Sequence, residues 1–127
     1  MANILVVEDE TGMREWLTEI LQGASHQICT ARDGVEARSL AQRHALDLVI
    51  TDISMPNEEG LGMILAMRKA YPKLKIIVIS GKDPDILMDA KLLGAHAALR
   101  KPVTAKIVLQ SVSDLIGASV SNRTSPM

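Results

Sequence analysis

The sequence predicts an α/β fold: a doubly wound, five-stranded parallel sheet with helices on both faces. Three observations carry that expectation. Short runs of β-branched and aliphatic residues alternate five times with stretches of helical periodicity. The strand runs are apolar throughout, the pattern of strands buried on both faces. Right-handed strand–helix–strand crossovers close such an alternation as a doubly wound sheet.

Ile4-Leu5-Val6-Val7 is the first strand and ends at the charged run Glu8-Asp9-Glu10. Thr11 can cap the helix that follows, although Glu15 lies one position past capping-box spacing. Met13, Leu17, Ile20 and Leu21 recur at helical spacing, and Gly23 closes the segment. Residues 26–31 form a second strand, broken by Asp33-Gly34, and residues 35–43 a second helix. The third strand, 46–51, ends at Asp52 and runs into the loop residues Met55-Pro56-Asn57-Glu58-Glu59-Gly60. A third helix over 61–70 is stopped by Tyr71-Pro72, and 75–80 is the fourth strand. Pro84 opens a fourth helix that Gly94 ends. Residues 95–100 complete the sheet despite alanines, which prefer helix. After the break at Lys101-Pro102, Val103, Ile107, Val108, Val112 and Leu115 give residues 103–116 a helical face. Residues 118–127 lack such a face and predict a flexible tail or the start of a linker, leaving 1–117 as one domain.

The composition narrows the function. A chain of 127 residues with 47% hydrophobic content can bury one sizeable core. Its formal net charge of −1 recommends neither nucleic acid nor an anionic membrane as direct partner. Trp16 and Tyr71 are the only aromatic residues, which argues against a module that stacks bases. Cys29 is the single cysteine and cannot form an internal disulfide, so a reduced, cytoplasmic setting is expected. No signal peptide and no apolar run long enough to span a bilayer is visible. His26, His44 and His96 have no metal-ligand spacing and read as scattered surface or strand residues.

In open parallel sheets ligands bind beyond the carboxyl ends of the strands. Glu8 and Asp9 follow the first strand, Asp52 the third, Ser80 ends the fourth, and Lys101 follows the fifth. Singly, such residues are usually caps or solvated loop residues. Together they place three carboxylates, a hydroxyl and an ammonium at one end of the sheet. Crowded carboxylates repel, and Mg2+, which suits one or two carboxylates plus water and phosphate oxygens, removes that cost. A carboxylate nucleophile, a metal and a fixed cation are the parts of a phosphoryl-transfer site.

These residues resemble the response-regulator receiver domains of two-component signalling systems. The resemblance rests on Glu8-Asp9, on Asp52-Ile53-Ser54-Met55-Pro56 followed by Gly60, on Ile79-Ser80-Gly81, and on Leu93-Gly94-Ala95 with Lys101-Pro102. It covers residues 3 to about 117. It implies a (βα)5, flavodoxin-like fold with strand order 2-1-3-4-5. It further implies that Asp52 accepts a phosphoryl group from a phosphohistidine on a sensor histidine kinase or histidine phosphotransfer protein. Asp9, Asp52 and the Ser54 backbone carbonyl would ligate Mg2+, with Glu8 acting largely through water. Ser80 and Lys101 would each bond a phosphoryl oxygen, and the Lys101-Pro102 peptide would be cis. Such a protein is a signalling switch, catalysing only its own phosphorylation and dephosphorylation.

Two departures stand out. Ala98 occupies the position where most members carry an aromatic residue, and Val103 replaces a common Phe. An inward-swinging aromatic therefore cannot carry the signal here. In similar receivers the flank holding Met13 and Trp16, with Pro102 and Val103, docks the phosphodonor. The fourth helix has apolar residues on more than one face, which suits a homodimer through that helix and the fifth strand. Lys101, at a solvated rim, is expected to contribute only about 0–1 kcal/mol to folding. Two other readings stay open at this point. One is a metal-dependent hydrolase with an aspartyl-phosphate intermediate, although Ser54 stands where that class normally has a second carboxylate. The other is a degenerate receiver used only for binding.

Overall fold

The computed structural model of the protein describes residues 2–53, 58–81 and 84–124, with residues 58–59, 84 and 117–124 described by backbone alone. Five strands alternate with five helices: β1 (Asn3–Val7), α1 (Thr11–Gly23), β2 (Gln27–Ala31), α2 (Gly34–Arg43), β3 (Leu48–Asp52), α3 (Glu58–Ala70), β4 (Lys75–Ser80), α4 (Pro84–Leu92), β5 (Ala97–Arg100) and α5 (Ala105–Thr124). The strands pair in parallel in the order β2-β1-β3-β4-β5, as expected.

Period-two alternation along the strands divides the core in two. Leu5, Val7, Val49, Ile76 and Val78 face α2, α3 and α4, where they meet Ala37, Met63, Ile64, Met67 and Ala90. Ile4, Val6, Leu48, Ile50, Ile77 and Ile79 face the other way and meet Leu17 and Leu21 of α1 and Val108, Val112 and Ile116 of α5. Both sides of β1, β3 and β4 are thus covered, which accounts for their unbroken apolar runs.

Several element ends differ from the sequence reading. Glu10, not Thr11, caps α1: its carboxylate accepts the Gly12 and Met13 amides at 3.1 and 3.0 Å. Thr104 accepts the Ile107 amide at 3.1 Å, so α5 starts two residues later than the apolar period suggested. At its other end α5 continues to Thr124. Gly94 adopts φ +124°, and a Cβ there would lie 2.8 Å from Arg68 Cγ, so the turn between α4 and β5 requires glycine.

Two histidines have a structural task at the amino end of the sheet. His26 Nδ1 accepts the Ala2 amide and His96 Nδ1 accepts the Ile76 amide, each at 3.1 Å. Only a neutral imidazole can accept there. Burial first, then the charges of Lys75 and Arg68, hold His96 below its ordinary 6.5, and burial does the same for His26. The unfolded chain therefore takes up these protons first. The stability they provide is complete above pH 6.5 and is lost as the pH falls toward and through the lowered folded values. His96→Asn keeps an acceptor near the Nδ1 position and removes one titration. We expect its melting temperature to fall less steeply than wild type between pH 6.5 and about 5. Parallel curves would show that His96 does not contribute to the acid sensitivity.

Candidate functional site

Register brings the site together. Val7 lies beside Thr51, so Glu8 follows on one strand where Asp52 follows on the next. Asp52 is level with Ile79, and Ser80 with Arg100, which sets Lys101 just beyond Ser80. The Lys101 amide donates to the Ser80 carbonyl at 2.9 Å, and the Lys101-Pro102 peptide is cis. Lys101 Nζ then reaches back across the sheet end to Asp52 Oδ2, 2.5 Å away. Gly81 makes room for that path, since a Cβ there would meet the Lys101 side chain at 3.2 Å.

The pair is asymmetric. The Asp52 side chain is 1% exposed, while that of Lys101 is 32% exposed. Burial pulls the Lys101 ammonium down, but its hydrogen bond to Asp52 and the charges of Asp52, Glu8 and Glu10 outweigh this and raise it overall. Glu8 is buried, and its Oε2 accepts the Glu10 amide at 3.1 Å. Arg14 Nη1 donates to the Glu8 backbone carbonyl at 2.9 Å, tying that turn to α1. Among the described residues, two buried side-chain oxygens have no hydrogen-bond donor: Glu8 Oε1 and Asp52 Oδ1. Burial, and then the neighbouring Asp52 carboxylate, push the Glu8 carboxyl up to about 8.

Asp9 is exposed beside Glu8, and Ser80 is buried at the end of β4. Ser54 and the Met55-Pro56-Asn57 loop lie outside the described residues. Among the described residues no three His, Cys, Asp or Glu side chains are grouped so as to cage a metal on their own. Glu8, Asp9 and Asp52 line a groove of about 600 Å³ that runs toward α2. A larger depression of about 760 Å³, around His44, Tyr71 and Leu74, sits at the amino end of the sheet and holds none of these groups.

Met13, Trp16 and Val103 are half-buried against the α1/α5 side of the core, and Pro102 is exposed. The sequence reading missed Glu10 and Arg14. An acidic residue two positions before Gly12, followed by a cation one turn into the helix, was the available signal for both.

Residues 4–113 match the family described as response regulator receiver domain. The chain belongs to that family. This receiver domain is 28% identical to the transcriptional regulatory protein GlrR of Escherichia coli over 120 residues, which are 93% of this chain and 27% of GlrR. The chain thus spans about a quarter of that relative. It is 34% identical to protein CcdB of Bacillus subtilis over 119 residues, 92% of this chain and 99% of CcdB. Among solved structures, the response regulator TrrA from Thermotoga maritima in complex with Mg2+-BeF is similar. Its TM-score is 0.81 at 34% identity, covering 91% of this chain and 99% of that one. Two-component receiver domains are signalling switches, and this receiver shares their five-stranded parallel architecture.

Proposed function

We propose that this receiver takes a phosphoryl group onto Asp52 from a phosphohistidine of a sensor kinase or phosphotransfer protein, acting as a switch and not as a turnover enzyme. The observation that carries the reading is the state of the Asp52 carboxylate. It is buried, one oxygen is held by Lys101, and the other has no hydrogen-bond donor among the described residues. A buried oxygen left without a donor is costly unless a cation or a transferred group completes it.

The donor set fits Mg2+: Asp9 and Asp52 would hold it, with Glu8 acting through water and the Ser54 carbonyl as a further ligand. When bound, Mg2+ neutralises the crowded carboxylates and the oxygens of the transferring group. TrrA, which forms a complex with Mg2+-BeF, is a precedent within the family. Asp52 Oδ1 is the nucleophile. Lys101 offers its ammonium to a phosphoryl oxygen, and Ser80, at the end of β4, bonds another. Incubation with acetyl phosphate and Mg2+ should add one phosphoryl per chain, removable by hydroxylamine and mapping to the peptide containing Asp52. Continuous turnover of the donor would favour a hydrolase, and no labelling a binding-only domain. Asp9→Ala should abolish Mg2+-dependent labelling, and full labelling of that variant would exclude Asp9 as a ligand.

The phosphodonor would dock on the flank of Met13, Trp16, Pro102 and Val103. A cytoplasmic setting suits the half-buried Cys29, whose thiol is pushed up by burial. Met88 and Leu92 lie one turn apart on α4 at 66% and 80% exposure, which supports a homodimer through α4 and β5. Met88→Lys should then eliminate concentration-dependent dimerisation of the phosphorylated or beryllofluoride-bound protein. A dimer that survives with unchanged affinity would place the contact elsewhere.

A further inference from the structure

Glu8, Asp9 and Asp52 line the groove with Arg32, Asp33 and Arg38, and the Asp33 carboxylate is engaged by the Glu36 amide at 2.8 Å, which leaves the two guanidinium groups as the cations of that lining. At about 600 Å³ it is larger than a phosphoryl group requires. Neither Ser80 nor Lys101 lines it, so it leads away from the cation that grips Asp52 and toward α2. Among the described residues Arg32 pairs with Glu36 alone, 3.6 Å away and one turn along, with its own side chain 71% exposed. Arg38 is exposed and makes no ion pair among the described residues. Two guanidinium groups thus border the groove in which a buried carboxylate oxygen lacks a donor.

We propose that Arg32 and Arg38 form a leaving-group subsite that favours acyl phosphates over phosphoramidates among small-molecule phosphodonors. The proposal rests on Asp52 as phosphoacceptor. As the bond from Asp52 Oδ1 to phosphorus forms, the bond from phosphorus to the acyl oxygen breaks. The electron pair leaves on that oxygen as a carboxylate, and no proton is transferred. Negative charge grows on the departing group toward the transition state, so nearby cations stabilise that state more than the bound donor. The guanidinium fork also matches a carboxylate in shape. Val35, 81% exposed on the same lining, offers the acyl chain an apolar contact. A donor whose leaving group departs as a neutral amine gains nothing from this arrangement.

The test compares acetyl phosphate with phosphoramidate on wild type and on Arg32→Gln/Arg38→Gln, with Mg2+ present. The ratio of the second-order labelling rate constant for acetyl phosphate to that for phosphoramidate should fall about fivefold in the double variant, the scale of an exposed ion contact. Arg38→Lys, which keeps the charge, should recover part of the ratio. An unchanged ratio, whether both rates hold or both fall together, overturns the subsite. Beryllofluoride carries no leaving group and reports separately on Asp52. If wild type neither binds beryllofluoride nor accepts label from either donor, the phosphoacceptor reading fails and the subsite falls with it. Binding and labelling with an unchanged ratio would remove the subsite alone.

Discussion

Asp52→Asn is expected to abolish phosphoryl labelling and to raise the melting temperature in Mg2+-free buffer. The first effect follows from loss of the nucleophile. The second follows from burial: the Glu8 and Asp52 carboxyls each have one buried oxygen without a donor among the described residues. An asparagine oxygen can still accept from Lys101, so what is lost is the charge assistance of that bond, on the order of 1 kcal/mol. What is relieved is the desolvation of a buried anion, several kcal/mol even after relaxation. The balance favours the variant by about 2 kcal/mol, or several degrees. The pH dependence follows from the raised Glu8. Its stabilising contribution is complete below about 4.5 and is lost as the pH climbs through about 8, where the carboxyl ionises beside Asp52. The Asp52→Asn variant should flatten that alkaline loss. Labelling of the variant at wild-type extent would move the acceptor to another residue. A lower melting temperature would mean that the charged Lys101–Asp52 pair outweighs desolvation.

Lys101→Met is the second large effect, and here the structure revises the sequence expectation. A solvated pair would contribute about 0–1 kcal/mol, but Asp52 is only 1% exposed, so removing its cation strands a buried charge. Breaking a fully buried pair costs about 3–5 kcal/mol. Because the Lys101 side chain is 32% exposed, a loss of about 1–3 kcal/mol is expected in Mg2+-free buffer. Added Mg2+ should restore part of it. Labelling by acetyl phosphate should slow about a hundredfold, the scale of removing one preorganised donor from a developing anion. The discriminating measurement is the melting temperature with and without Mg2+, beside the labelling rate. Equal stability of variant and wild type in both buffers would show that Asp52 finds compensation without Lys101.

Much of the fold was legible because its strands are apolar on both faces, a pattern that few architectures satisfy. The site was legible for a topological reason: parallel strands deliver their carboxyl ends to one edge, so residues far apart in sequence could be grouped without coordinates. What escaped was whatever depends on atoms. Sequence spacing cannot say that Glu8 turns one oxygen to the Glu10 amide and leaves the other bare, or that Asp52 is buried while Lys101 reaches solvent. Nor does it separate Glu10 from Thr11 as a cap, since either side chain can accept an amide. His26 and His96 read as incidental because each partner is a backbone amide on a neighbouring segment, which leaves no trace in composition.

The amino edge of the sheet is stitched beyond its regular ladder. Gln27 donates to Ala2, Asp47 to Asn3, Lys75 to Asp47 and His96 to Ile76, and the two imidazoles close further bonds there. At the opposite edge stand the crowded carboxyls with their bare oxygens. A one-residue slide of any inner strand would turn every side chain of one core into the other, so sliding is closed to this molecule. The carboxyl edge is tied in the same way: the amides of Glu8, Ile53 and Lys101 donate to the carbonyls of Ala31, Ile79 and Ser80 at 2.9, 2.8 and 2.9 Å. The crowded oxygens therefore sit on a frame fastened at both ends, and whatever binds there meets a mould already cast.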